Sequence, residues 1–341
     1  MKKLLIIEPL LAIVVNEIKE RWAQLSYEID LLPNIKEQEL SSVLCRGNYD
    51  ALIVRNRVID RETIEAWTTA KGDSKVAIVR AGSNISTIDI KAARERGVYV
   101  MNTPGANSQA VAQFILTQLF ILSGNVNKME KASCDIKSNI RNEKNIYETH
   151  TFIGDRLALI GTGAIGSILS KMANSMGMIV QAYSPNLSEQ RAVSMGAVNC
   201  KTIEEAFTDA NYIAVQVPFT VEDTANYQKT FGMINKDLFI KAKRGACIVN
   251  VSRADIVNNE DLLALLQSGD LSGASLDILF SEIDKMRAKY PQLFELDNVY
   301  ITPLIACESE HADREIATQS LMKVEKFFSN KARKEDTVKL M

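Results

Sequence analysis

Leu157-Ala158-Leu159-Ile160-Gly161-Thr162-Gly163-Ala164-Ile165-Gly166-Ser167 is the stretch on which the reading of this chain turns. Four apolar residues run into a turn with glycines at 161, 163 and 166, and helical patterning follows from Ser167 to Met176. Strand, glycine turn and helix in this order suit a dinucleotide pyrophosphate. Gly161 permits the tight turn, Gly163 lets backbone approach the phosphates, and Gly166 lets helix pack closely on strand. The helix start adds amide donors and a positive dipole end, so Gly161, Gly163, Ala164, Ile165 and Gly166 are expected to line a cofactor site.

Outward from this turn, short apolar runs alternate with longer helical stretches. A first series comprises Leu4 to Ile7, Tyr27 to Leu32, Ala51 to Val54, Val76 to Val79 and Val98 to Met101. After a polar stretch, Ser138 to Thr151, a second comprises Leu157 to Ile160, Ile179 to Tyr183, Tyr212 to Val217, Cys247 to Val251, Gly273 to Ile278 and Val299 to Ile301. Runs apolar on both faces belong to parallel sheets covered by helices, so the fold class is α/β with two doubly wound parallel-sheet domains. Between the series, the turn Asn102 to Ser108 introduces an apolar helix over Gln109 to Leu122. Near the far end, Ala317, Leu321, Val324 and Phe328 recur at helical spacing and mark one buried stripe.

Composition narrows the partners. A chain of 341 residues with 46% hydrophobic content affords two cores. Forty basic against forty-two acidic side chains provide no footprint for nucleic acid and no polycation for anionic membranes. Glu8 and Pro9 interrupt the apolar start, so Leu4 to Ile7 reads as a buried strand rather than a leader, and no run is long enough to span a bilayer. The five cysteines are scattered without a Cys-x-x-Cys pair, which predicts reduced thiols, a cytoplasmic setting and no metal site.

Arg80-Ala81-Gly82, Asn102-Thr103-Pro104-Gly105-Ala106-Asn107-Ser108, the glycine turn, Val249-Asn250-Val251-Ser252-Arg253, Gly273-Ala274-Ser275-Leu276-Asp277-Ile278 and Ile301-Thr302-Pro303 occur in a telling order and spacing. In these blocks, from about Leu52 to Ser320, the chain resembles the D-isomer-specific 2-hydroxyacid dehydrogenases, in particular their phosphoglycerate dehydrogenase and hydroxypyruvate reductase branch. The resemblance implies a Rossmann cofactor domain (104–303) inserted into a flavodoxin-like substrate domain (1–103 plus 304–341), a cleft between them, and a homodimer built through the cofactor domains. It implies hydride transfer between NAD(P)(H) and a small 2-hydroxy or 2-oxo acid. Carried over to this chain, Arg253 binds the substrate's carboxylate and carbonyl oxygen, and Glu282 is the acidic residue that normally holds and charges a histidine. The family's cofactor contacts fall on Ser184, Val217, Pro218, Val251 and Asp277, and its substrate contacts on Arg55, Ser83 and Asn84.

The chain departs from that pattern where protons are handled. Leu304 stands in the place of the family's catalytic histidine, and leucine neither donates nor accepts a proton. The two histidines, His150 and His311, lie elsewhere; His311, Glu308, Glu282 and a bound water are the possible substitutes. Two readings follow: a reductase working without the histidine, or a catalytically impaired dinucleotide-binding protein that acts as a cofactor-responsive binding or regulatory module. Further departures at Asn84-Ile85-Ser86-Thr87, Gln113, Ala254 and Ile283 concentrate near the substrate side. At the cofactor's ribose, Ser184 replaces the strand-end aspartate that would repel a 2′-phosphate, and Asn186 and Arg191 could meet one. The cofactor is therefore NAD or NADP.

Overall fold

Five parallel strands, β1 (Lys2–Ile6), β2 (Tyr27–Leu31), β3 (Ala51–Val54), β4 (Ala77–Arg80) and β5 (Tyr99–Asn102), form a sheet in the order β2-β1-β3-β4-β5 in the computed structural model of the protein. The structure describes residues 1–8, 12–83, 85, 87–223, 228–333 and 337–338. Successive side chains of a strand point to opposite faces, and here both faces are covered. Leu4, Ile6, Ile53 and Val79 pack with Trp22, Val324 and Phe328, while Leu5, Leu52, Val54 and Ile78 pack with Leu44 and Trp67. The stripe expected at the end of the chain is the buried face of the helix Glu310–Phe328, which packs on this sheet. The strand order is that of flavodoxin-like doubly wound sheets.

A second sheet holds seven parallel strands: β6 (Arg156–Ile160), β7 (Ile179–Tyr183), β8 (Ala197–Asn199), β9 (Tyr212–Val215), β10 (Ala246–Asn250), β11 (Leu271–Asp277) and β12 (Val299–Thr302). Their order, β12-β11-β10-β9-β6-β7-β8, is the doubly wound dinucleotide-binding order with one strand added at an edge. Leu157 and Leu159 face one core, with Val180, Ala214 and Val249; Ala158 and Ile160 face the other, with Ile213, Val215 and Ile248. The three-residue edge strand β8 escapes sequence reading because Ala197, Val198 and Asn199 carry too little apolar patterning. The apolar helix Ser108–Leu122 buries Val111, Ala112, Ile115 and Leu119 against this unit's core. Among the described residues no single helix is long and apolar enough to cross a membrane.

The chain divides into two compact units, Met1–Asn107 with Glu308–Met341, and Ser108–Cys307. The second is thus inserted into the first. The crossings fall at 107/108 and 307/308 instead of the expected 103/104 and 303/304, and core packing at the first and hydrogen bonds at the second account for the shifts. Thr103 exchanges bonds with Gly82, donating from its N–H to the Gly82 carbonyl (3.0 Å) and accepting the Gly82 N–H on Oγ1 (2.7 Å), and Ala106 beyond it is buried in the first unit's core with Val79 and Met101, which keeps the turn up to Asn107 with the first sheet. At the return crossing, Asp277 of β11 holds Ile305 and Ala306 and keeps residues before Glu308 with the second.

Candidate active site

The carboxyl ends of the second sheet collect the chemistry. Register places Ile160 beside Tyr183 and Val215, Val215 beside Asn250, and Asn250 beside Leu276, so these strands end at one level. Along that edge follow, in spatial order, Leu304 after β12, Asp277 at the end of β11, Val251 and Arg253 after β10, Val217 and Pro218 after β9, the glycine turn after β6, and Ser184 after β7. Strand order reverses between β9 and β6, and ligands of open α/β sheets lie outside the carboxyl ends at such a switch point.

The glycine turn has the shape its sequence predicts. Gly161 takes φ +105°, and a Cβ there would lie 2.7 Å from the carbonyl oxygen of Gln216, so both conformation and space demand glycine. A Cβ on Gly166 would meet the Gly161 carbonyl at 2.2 Å. At Gly163 a Cβ would meet nothing within 4 Å, leaving the approach to the turn open. The helix begins at Ala164 rather than Ser167 because Gly163 already serves as its cap, and this cap makes no side-chain hydrogen bond. Exposed helix-start amides beside open space fit a pyrophosphate. Leu169, Ser170 and Ala173 anchor the helix to the sheet.

Gln216, which sequence reading passed over, clamps this turn. Its Nε2 donates to the Gly161 carbonyl at 2.7 Å, and its buried Oε1 has no partner among the described residues. The signal was a polar residue inside the otherwise apolar run Tyr212 to Val217.

Asn250 does the same for the arginine loop. It is fully buried; its Oδ1 accepts the Ser252 N–H and its Nδ2 donates to the Arg253 carbonyl, both at 2.9 Å. The Arg253 backbone is thereby pinned at the end of β10. Its guanidinium is half-buried, donates to the Ser252 carbonyl at 2.9 Å, and has no carboxylate partner among the described residues. A permanently charged, forked donor without a counter-ion is suited to an incoming carboxylate.

On the far side of Arg253 the groups are turned inward. Asp277, expected among the cofactor contacts, is 1% exposed and accepts three hydrogen bonds from the loop after β12: Thr302 Oγ1 (2.6 Å), Ile305 N–H (2.8 Å) and Ala306 N–H (2.9 Å). Glu282, expected to partner a histidine, reaches back to the Leu279 N–H at 2.9 Å and caps its own helix, Phe280–Lys289. Leu304 is half-buried and adopts φ +55°, a left-handed conformation that costs an ordinary L-residue roughly 1 kcal/mol. Two further candidates for proton transfer are the histidines. His150 pairs with Asp155, and His311 is exposed in the first turn of Glu310–Phe328 in the other unit.

In that first unit, Arg55 and Ser83 follow the carboxyl ends of β3 and β4. Arg55 is already paired, with Glu308 at 3.1 Å and Asp313 at 3.4 Å, and burial holds the Asp313 carboxyl above its ordinary range against the pull of that arginine. Ser83 is exposed, its carbonyl accepting from Asn102 Nδ2 at 2.8 Å. Asn84 lies outside the described residues.

Residues 118–306, more than half of the chain, match the family model described as "D-isomer specific 2-hydroxyacid dehydrogenase, NAD binding domain". The chain belongs to this dehydrogenase family. It is 30% identical over 274 residues to the D-3-phosphoglycerate dehydrogenase of Bacillus subtilis, covering 80% of this chain and 48% of that protein. It is 29% identical over 294 residues to the hydroxypyruvate reductase of Thermotoga maritima, covering 85% and 88%. The chain therefore spans about half the length of several curated relatives it matches, and most of the length of another. D-lactate dehydrogenase with NAD+ from Lactobacillus jensenii superposes with a TM-score of 0.78 at 20% identity over the full length of both chains, which shows the shared fold. The inserted unit, which carries the glycine turn, coincides with the family's NAD-binding domain over most of its length.

Proposed function

We propose that this dehydrogenase-family member moves a hydride between NAD(P)(H) and a small 2-hydroxy or 2-oxo acid. The observation that carries the reading is Arg253, held by the buried Asn250 at the strand ends two strands from the glycine turn, with no counter-ion among the described residues. The turn and the amides of Ala164, Ile165 and Gly166 hold the pyrophosphate, with Val217, Pro218 and Val251 along the route toward Arg253. When bound, the nicotinamide supplies or accepts the hydride. Arg253 anchors the acid's carboxylate and draws electron density toward the carbonyl oxygen. Leu304 exchanges no proton and Glu282 is spent on its helix, and among the remaining substitutes we assign the proton on that oxygen to water. Alignment of the reactants supplies up to ~7–11 kcal/mol of the barrier, so a slow reductase survives without a positioned acid.

The test is oxidation of NADH and NADPH with glyoxylate, hydroxypyruvate and 3-phosphohydroxypyruvate. Slow turnover that Arg253→Gln lowers by ~100-fold or more is expected, because a charge-assisted fork to the substrate is lost. Tight cofactor binding with no turnover above buffer would overturn the reading for those acids.

The same proposal includes a cytoplasmic homodimer. No disulfide joins the five cysteines among the described residues. The segment of the inserted unit after Phe120 exposes Val126, Met129 (66%), Ile136 (68%), Ile140 and Ile153 (77%), a density of bare apolar side chains that a second copy would cover. Sedimentation at micromolar concentration should give twice the chain mass; a monomer would remove this part.

A further inference from the structure

We infer that the site beside β7 receives a 2′-phosphate, so that the protein binds NADPH in preference to NADH; this rests on the dinucleotide reading above. Two features define the place. The Gly161 N–H donates to the Tyr183 carbonyl at 3.0 Å, which sets Ser184, the next residue, against the start of the glycine turn. Arg191, on the helix Glu189–Met195, donates from its guanidinium to the Thr162 carbonyl inside that turn.

Charge decides what this corner accepts. A strand-end carboxylate would take both ribose hydroxyls and repel a phosphate; here the strand runs out in Ser184-Pro185-Asn186, which carries none. The one carboxylate of the Arg191 helix, Glu189, is engaged by Asn199 (2.9 Å) and Lys201 (3.2 Å). Arg191 forms no ion pair among the described residues, and one of its five N–H donors is used in fixing it against the turn. An uncompensated guanidinium on the turn and a hydroxyl at the adjoining strand end, with an amide two residues further along the chain, suit a dianionic phosphate monoester better than a diol.

The experiment is a binding titration of the full chain with NADPH and NADH, followed by nicotinamide fluorescence or calorimetry, with 2′,5′-ADP and 5′-AMP as competing fragments. NADPH is expected to bind at least ~10-fold tighter than NADH, as a charge-assisted hydrogen-bonded contact allows. Arg191→Ala should weaken NADPH by about that factor and leave NADH within about twofold, while Ser184→Asp should reverse the preference. Arg191 is exposed, and unchanged thermal melting of both variants checks their folding. Equal or tighter binding of NADH by the natural sequence overturns the inference, as does an equal loss of both cofactors in Arg191→Ala. Failure to bind either cofactor overturns the dinucleotide reading itself and is a separate result.

Discussion

The two ends of one sheet edge have been treated differently. Around β6 and β7, backbone amides at a helix start, the space before Gly163 and the guanidinium of Arg191 all face outward with capacity to spare. Around β11 and β12, the polar groups are consumed internally: Asp277 ties down the loop that carries Leu304, and Glu282 caps its own helix. Arg253 sits between the two halves, positioned and without a counter-ion. If the proposed reading holds, the difference teaches that gripping a dinucleotide and handling a proton are separable in this fold. On the proposed reading, only the second depends on the side chain at position 304, where leucine exchanges no proton.

The sharpest way to break the contrast is to change that side chain. Leu304→His is expected to raise kcat/KM for 2-oxo acids by ~10²-fold or more, the usual worth of a positioned acid or base. The backbone accommodates it, because the left-handed φ of +55° suits histidine better than leucine. The gain requires Glu282 to leave the Leu279 N–H, so it should vanish in the double variant Leu304→His, Glu282→Gln. No gain in the single variant would mean that the half around β12 differs in shape as well as in chemistry.

Asp277 offers the next largest effect, on stability. Removing its carboxylate leaves the buried Ala306 N–H and the Ile305 N–H without acceptors, so Asp277→Ala should lower the unfolding free energy by roughly 3 kcal/mol. Asp277→Asn retains one acceptor oxygen and should lose less. Urea titration measures both. A loss under about 1 kcal/mol would show that the loop is held by something other than this carboxylate, and would return Asp277 to the cofactor contacts.

Much of this was legible in the chain itself. Runs such as Ala51 to Val54 and Leu157 to Ile160 are apolar on both faces because both faces of their sheets are covered, and pattern alone reports that. Gly161 and Gly166 were legible because a close turn leaves no room for a side chain at either position, and Gly163 because the spacing of the three glycines after a strand is itself a pattern. Asn250 and Gln216 were not, since their roles depend on which carbonyl or N–H lies within reach, and spacing along the chain does not encode that. The internal hydrogen bonds of Asp277 and Glu282 were hidden for the opposite reason. Their sequence context survives while their hydrogen bonds go to their own unit, and only coordinates separate an acid that faces a ligand from one that faces a loop.

The smallest expected effect isolates the ligand's share in the glycine turn. Gly163 has φ −63° and ψ −160°, which an L-residue adopts without strain, and an added methyl meets nothing within 4 Å. Gly163→Ala should therefore melt like the natural protein, whereas Gly161→Ala, at φ +105° and against the Gln216 carbonyl, should be destabilised whatever is bound. If the pyrophosphate lies over Gly163, the methyl occupies part of its approach and weakens both NADH and NADPH by roughly tenfold, about 1.4 kcal/mol. Arg191→Ala should discriminate between the cofactors; Gly163→Ala should not. A Gly163→Ala protein with unchanged affinity would place the phosphates away from the turn, and the outward-facing half of the edge would then need another ligand to explain it.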